Sequence, residues 1–295
     1  MNRALLVGIN KYPRHLQGPL IEFERLSGCV NDAKAMAQFI RTRCGFAPSE
    51  IHLLTDGQAT KATILRSLRW LVNRVRPGGC LLFFFSGHGA PYPRVQPRSR
   101  VHHDTICPVD FDWTRKHSII DLDFKTLFER IPEGVEFIWI TDCCFSGGLA
   151  KDLTTASVDG VRYKTVAPPE RVASKLRAAR KHPQFKRIGM HRIAPALHGA
   201  LIAAASPTQY SYDVSFRHGH RDRYHGVLTY YLLRAMHAEN SGKKPLKSIV
   251  AAARRMAITH YQQHPELRGE RSVLARPFLA PPQADSARRW TWRRR

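Results

Sequence analysis

Six consecutive apolar residues, Cys80 to Phe85, run straight into Ser86-Gly87-His88-Gly89. A strand with one face in water alternates apolar and polar side chains. One that is apolar at every position is buried on both faces, as in a parallel sheet covered by helices on each side. Val135 to Thr141 (VEFIWIT), apolar apart from Glu136 and its closing threonine, is read as a second buried strand, and it runs into Asp142-Cys143-Cys144-Phe145-Ser146-Gly147-Gly148. Both strands therefore end in a small-residue turn that carries a reactive side chain, and glycines there allow a tight turn and the close approach of another molecule.

The rest of the chain supplies the layers such a sheet needs. Arg3–Ile9, Ile51–Leu54 and Ala200–Ala205 read as further strands. Helical spacing of apolar residues predicts helices over Asp32–Thr42 with Asn31 as cap, Thr60–Arg74, Val227–His237 and Leu246–Tyr261. Strands alternating with helices imply βαβ units in an α/β fold, and in such sheets reactive groups gather at the carboxyl ends of the strands. Residues 151–199 differ: they are basic, contain Pro168-Pro169 and lack a strong period. They read as an exposed linker between a large portion, 1–150, and a smaller one, 200–285, that completes the same sheet; 286–295 reads as a basic tail.

Composition narrows the function classes. The chain has 295 residues and a net charge of +24, with 19 basic and 14 acidic residues in 1–150 against 28 and 9 in the remainder. A field of that sign attracts polyanions, so weak polyanion binding is an expectation. No apolar run approaches the roughly 20 residues that cross a bilayer. Met1-Asn2-Arg3 leads directly into a strand without the pattern of a signal peptide. The six cysteines, at 29, 44, 80, 107, 143 and 144, form neither a Cys-x-x-Cys pair nor a disulfide framework. A cytoplasmic monomer with mostly inert thiols is expected.

If the two strands are neighbours, His88 and one of Cys143 and Cys144 share a rim. A cysteine with a histidine some 50 residues upstream, both on glycine-bearing turns, resembles the arrangement of caspase-type proteases; for Cys144 the separation is 56. The ordered set Ala4-Leu5-Leu6-Val7-Gly8-Ile9-Asn10 with Tyr12, Leu26-Ser27-Gly28-Cys29-Val30-Asn31-Asp32-Ala33, Ser86-Gly87-His88-Gly89, Thr105-Ile106-Cys107-Pro108-Val109-Asp110, Asp142-Cys143-Cys144-Phe145-Ser146-Gly147 and Gly226-Val227-Leu228-Thr229-Tyr230 resembles the caspase-like clan of cysteine peptidases. Within the clan it is most similar to the metacaspases and their prokaryotic relatives.

The resemblance implies a three-layer caspase-like sandwich with about six strands, mostly parallel. It implies Cys144 as nucleophile with Cys143 as bystander, His88 as base, and the backbone N–H groups of Gly89 and Cys144 as oxyanion donors. Asp32, Ser86 and Asp142 become the pocket residues, and since a carboxylate pairs with a guanidinium or ammonium, cleavage of polypeptides after Arg or Lys is expected. No third, acidic member is expected beside the pair. Many metacaspases are activated by Ca²⁺; here Val101-His102-His103-Asp104 and Ile120-Asp121-Leu122-Asp123 carry His103 and Leu122 where acids are expected, and the acid after Gly147 is displaced to Asp152. Calcium independence and no cofactor are the expectation. Phe145 stands where the family usually has His, which predicts a more apolar pocket rim. Lys151, Arg162, Lys164, Arg171 and Lys175 in the linker are candidate self-processing sites. Two other readings use the same residues: a catalytically silent scaffold of the same fold, and a polyanion-binding protein acting through the basic half with Trp290 and Trp292.

Overall fold

A computed structural model describes residues 1–13, 23–96, 99–145, 160–181, 186–187, 189–190, 199–206, 209–218, 221–238 and 241–280. In chain order the strands are β1 (Asn2–Gly8), β2 (Ile51–Thr55), β3 (Cys80–Ser86), β4 (Gly89–Gln96), β5 (Ser99–Ile106), β6 (Ile119–Ile120), β7 (Glu136–Asp142), β8 (Val161–Tyr163), β9 (Lys186–Arg187), β10 (Gly199–Ala203), β11 (Tyr212–His218), β12 (Arg221–Gly226) and β13 (Glu266–Gly269). The helices are α1 (Cys29–Arg43), α2 (Lys61–Val72), α3 (Asp121–Phe128), α4 (Glu170–Arg180), α5 (Val227–His237), α6 (Leu246–Tyr261) and α7 (Arg271–Leu274).

The central sheet has six strands in the order β13-β10-β7-β3-β1-β2, all parallel except the β10–β13 pair. Strand β3, in its middle, is buried at every position, and successive side chains feed opposite cores. Leu81, Phe83 and Phe85 join α2, α3 and α4 residues such as Leu68, Phe124 and Leu176; Cys80, Leu82 and Phe84 join Met36 and Ile40 of α1, Leu232 of α5 and Ile249 of α6. This two-sided burial is the three-layer α/β sandwich expected from the unbroken apolar run. The helices at Val227–His237 and Leu246–Tyr261 coincide with the expected ones.

The structure corrects three local readings. The first helix begins at Cys29 with Gly28 as its cap, and Asn31 sits in its first turn, where its side chain donates to the Tyr224 carbonyl at 3.0 Å. The linker is not simply exposed: Val166, Leu176 and Met190 are buried in the core, and Lys164 is 0% exposed. Phe145 is likewise buried in the core instead of forming a pocket rim. Ser146, Gly147, Gly148, Lys151, Asp152 and the tail with Trp290 and Trp292 lie outside the described residues. Among the described residues no helix is long and apolar enough to cross a membrane.

Candidate active site

Strands β3 and β7 are direct neighbours, in a register that pairs Phe85 with Thr141 and Ser86 with Asp142. Their carboxyl ends thus bring the His88 turn and the Cys144 turn to one rim. Gly89 explains how close the turns come: a Cβ there would sit 2.4 Å from the Cys144 carbonyl oxygen. The two turns present a pair of donors to one acceptor. The N–H of Gly89 and the N–H of Cys144 both bond the carbonyl oxygen of Lys164, each at 3.1 Å.

Lys164 arrives there because β8 adds antiparallel to β11, with Arg162 opposite Asp213 and Tyr163 opposite Tyr212. The Lys164 N–H continues the ladder to the Ser211 carbonyl at 2.9 Å, and the Val166 N–H reaches the Gly89 carbonyl at 3.2 Å. The segment is an extended peptide lying across the turns that carry His88 and Cys144, with the Lys164–Thr165 bond at the paired donors.

The Lys164 side chain fills a buried acidic pocket made of the three expected residues. Its ammonium donates to Ser86 Oγ at 2.8 Å and Asp142 Oδ1 at 3.0 Å, and lies 3.6 Å from Asp32 Oδ2. Asp32, Ser86, Asp142 and Lys164 are all 0% exposed. Neighbours, most of them from the smaller portion, hold the carboxylates. Asp32 accepts from Ser86 Oγ at 2.7 Å, from His225 Nδ1 at 2.9 Å and from the Gly226 N–H; Asp142 accepts from Ser211 Oγ at 3.0 Å and from the N–H and hydroxyl of Thr229 at 3.0 and 2.6 Å. Gly226 closes the wall, since a Cβ there would lie 2.2 Å from an Asp142 oxygen and 2.5 Å from the ammonium. Burial by itself would lower the pKa of Lys164, but the charges of Asp142, Asp32 and Asp213 outweigh it and hold the ammonium protonated above the ordinary lysine range.

His88 is fully buried. Its Nε2 lies 2.7 Å from the Glu24 carbonyl, which can only accept, so the proton resides on Nε2. Nδ1 is then the basic nitrogen, and it is buried. Burial, helped by the Lys164 charge, lowers the imidazole pKa to about 4 against the opposing effect of the Glu24 and Thr165 backbones. Cys144 Sγ donates to the Gln209 carbonyl at 2.7 Å. Cys143, by contrast, belongs to the hydrophobic core, where burial pushes its thiol pKa far up. The two cysteines that sequence spacing could not separate are thus distinguished by surroundings.

The described residues of the calcium stretch offer no cation shell. Asp121 is bonded by His103 Nδ1 at 2.6 Å and by the Asp104 N–H at 3.3 Å; Asp123 accepts from the Ile120 N–H and from Arg115. Among the described residues no three His, Cys, Asp or Glu side chains converge as a metal set. Calcium takes about six to eight oxygens, so these residues do not fit the ion.

Sequence reasoning missed Glu24, Gln209, Ser211, Asp213 and His225, none of which stands in a motif of its own. Gly226 and Thr229 belong to a recognised motif, but their role as partners of Asp32 and Asp142 follows only from the fold.

Fold and site together define a caspase-like α/β protein with a cysteine and a histidine at adjoining strand ends. The chain belongs to the metacaspase family: the family model described as "Metacaspase, peptidase C14 domain" matches residues 2–153. It is 38% identical over 154 residues to Metacaspase-9 of Arabidopsis thaliana, a stretch covering 50% of this chain and 43% of that protein. To Metacaspase-1 of Coccidioides immitis it is 35% identical over 152 residues, covering 49% of this chain and 31% of that protein. The chain thus matches less than half the length of either relative. A crystal structure of a Geobacter sulfurreducens protein is similar in fold, with a TM-score of 0.66 at 23% identity, covering 95% of this chain and 98% of that one.

Proposed function

We propose that this protein is a cysteine endopeptidase that cleaves polypeptides after lysine or arginine, and that the bond between its own Lys164 and Thr165 is its first substrate. The observation that carries this reading is the posture of Lys164, with its carbonyl on the Gly89 and Cys144 N–H groups and its ammonium between Asp32 and Asp142. In the reaction, His88 Nδ1 takes the Cys144 thiol proton and the thiolate attacks the Lys164 carbonyl carbon. The negative oxygen of the tetrahedral intermediate is met by the two N–H donors already directed at it. His88 returns the proton to the departing Thr165 nitrogen, and water hydrolyses the thioester. Ammonium and guanidinium both suit a buried pair of carboxylates; a substrate carboxylate would meet like charge.

Of the five linker sites, Arg171 and Lys175 lie within α4 and Lys151 lies outside the described residues. Among the described residues only Lys164 is both extended and paired at the donors. The same contacts exclude other peptides until the segment leaves, so scission at Lys164 comes first and turnover of other chains follows.

The test uses the full chain and its Cys144→Ala form, followed by intact mass and by fluorogenic peptides ending in Arg, Lys or Asp. Fragments ending at Lys164 and hydrolysis of Arg and Lys peptides, both absent in Cys144→Ala, are the expected result. Identical fragments from the two forms, or an Asp peptide cleaved as fast as an Arg peptide, would overturn it.

A further inference from the structure

Two residues before the bond to be cut, Arg162 enters a second acidic recess. Residues two apart in an extended strand point to the same side, so Arg162 and Lys164 face the protein together while Tyr163 faces Tyr210 and Tyr212, with ring centroids at 5.0 and 5.6 Å. The Arg162 guanidinium lies 4.7 Å from the Tyr224 ring centroid, bonds Ser27 Oγ, and has a nitrogen 3.9 Å from Asp213 Oδ2. Asp213 is 0% exposed. Its Oδ2 accepts from the N–H groups of Ser27 and Gly28 at 2.6 and 3.2 Å, while Oδ1 is buried without a hydrogen-bond partner among the described residues. The Glu24 carboxylate, which accepts the Tyr163 N–H at 3.1 Å, adds further negative charge beside the guanidinium.

We infer that Asp213, Tyr224 and Ser27 form a second specificity subsite, which selects polypeptides bearing a basic residue two positions before the cleaved lysine or arginine. A buried carboxylate with a spare oxygen is costly unless a cation answers it, and an aromatic face flanked by that carboxylate favours the planar guanidinium over a neutral side chain. The backbone ladder to β11 fixes the register, so a substrate strand offers its third-last residue to this recess whenever its last fills the Asp32–Asp142 pocket. The inference rests on the endopeptidase reading.

The test compares kcat/KM for coumarin amides of acetyl-Val-Arg-Tyr-Lys, acetyl-Val-Ala-Tyr-Lys and acetyl-Val-Glu-Tyr-Lys with the full chain. The Arg peptide is expected to be favoured over the Ala peptide by about tenfold, the scale of a charge-assisted contact reinforced by cation–π stacking, with the Glu peptide slowest. In Asp213→Asn the Arg-to-Ala ratio falls to about threefold or less; if that variant does not fold, Tyr224→Leu is read the same way. Hydrolysis of all three peptides at equal rates overturns the subsite and leaves the endopeptidase reading standing. Where the chain cuts itself but admits no peptide, the readout is scission at Lys164 in Arg162→Ala. Slower scission supports the subsite, and an unchanged rate overturns it. Absence of both peptide hydrolysis and self-scission removes the parent reading and this one with it.

Discussion

Gly89 and Cys144, 55 residues apart in the chain, each direct a backbone N–H at one oxygen, the Lys164 carbonyl, at 3.1 Å. Neither donor belongs to a side chain, so no substitution that keeps the backbone in place removes them. Their alignment follows from the β3–β7 register and from the missing side chain at position 89. Gly89→Ala would drive a methyl group into the Cys144 carbonyl, displacing one turn from the other. Peptide hydrolysis should fall by about 10²-fold or more, the loss typical when an oxyanion donor is removed. Activity within about threefold of wild type would show that the two turns do not act as a pair.

Cys143 and Cys144 are adjacent in sequence and equally buried, but Cys143 packs into the hydrophobic core whereas the Cys144 sulfur meets the Gln209 carbonyl. Cys143→Ala removes a core sulfur and should cost about 1 kcal/mol of stability with hydrolysis nearly unchanged. Cys144→Ala should still unfold cooperatively as an intact chain and abolish scission at Lys164. Steady-state peptide assays and urea melts of both variants check this; loss of activity in Cys143→Ala with retention in Cys144→Ala would reassign the nucleophile.

The buried ammonium of Lys164 neutralises two carboxylates that no water reaches. Removing one partner of such a group strands the others, at a cost of about 3 to 5 kcal/mol. Lys164→Met, measured in the Cys144→Ala background so that both chains stay intact, should therefore unfold at lower urea. Adding Asp142→Asn should recover part of the loss. Equal midpoints for the chains with and without the Lys164→Met substitution would mean that the carboxylates are not held by this cation.

Much of the sheet is legible because two-sided burial writes an unbroken apolar run into Cys80–Phe85, and the shorter run Phe137–Ile140 into β7, whose pairing with β3 sets the reactive turns beside each other. Strand β13 was not legible. Glu266–Gly269 carries one apolar side chain, that of Leu267, and is a strand only because it pairs with β10. The start of α1 was misread for a similar reason: Asn31 caps helices well by itself, but here its side chain serves Tyr224, 193 residues away. Asp32, Ser86 and Asp142 were legible as a set through the family resemblance. The burial of Lys164 was not, because a basic linker reads as solvated surface unless the convergence of distant carboxylates is already known.

Chelation should leave activity unchanged. The carboxylates in the calcium stretch are already committed, Asp121 to His103 and Asp123 to Arg115 and the start of α3. Peptide hydrolysis in excess EGTA should match that in millimolar Ca²⁺. A loss in chelator that Ca²⁺ restores would require a site elsewhere in the chain.

The pH dependence of self-scission reports on His88. Its imidazole must be neutral to take the thiol proton, and burial holds its pKa at about 4 in the closed chain. The acid limb of Lys164–Thr165 scission should therefore lie near pH 4, well below the ordinary histidine value of about 6.5. The same shift acts on stability. Between those two values the unfolded chain binds a proton that the folded chain refuses, so this group withdraws stability as the pH falls from about 6.5 towards 4, by about 1.4 kcal/mol for each unit traversed. Quenched-flow mass analysis from about pH 3.5 to 8, a range that brackets both values, measures the limb. Finding it at the ordinary histidine value would mean that His88 is solvated during the reaction, with the Val161–Tyr163 strand already lifted from its partner.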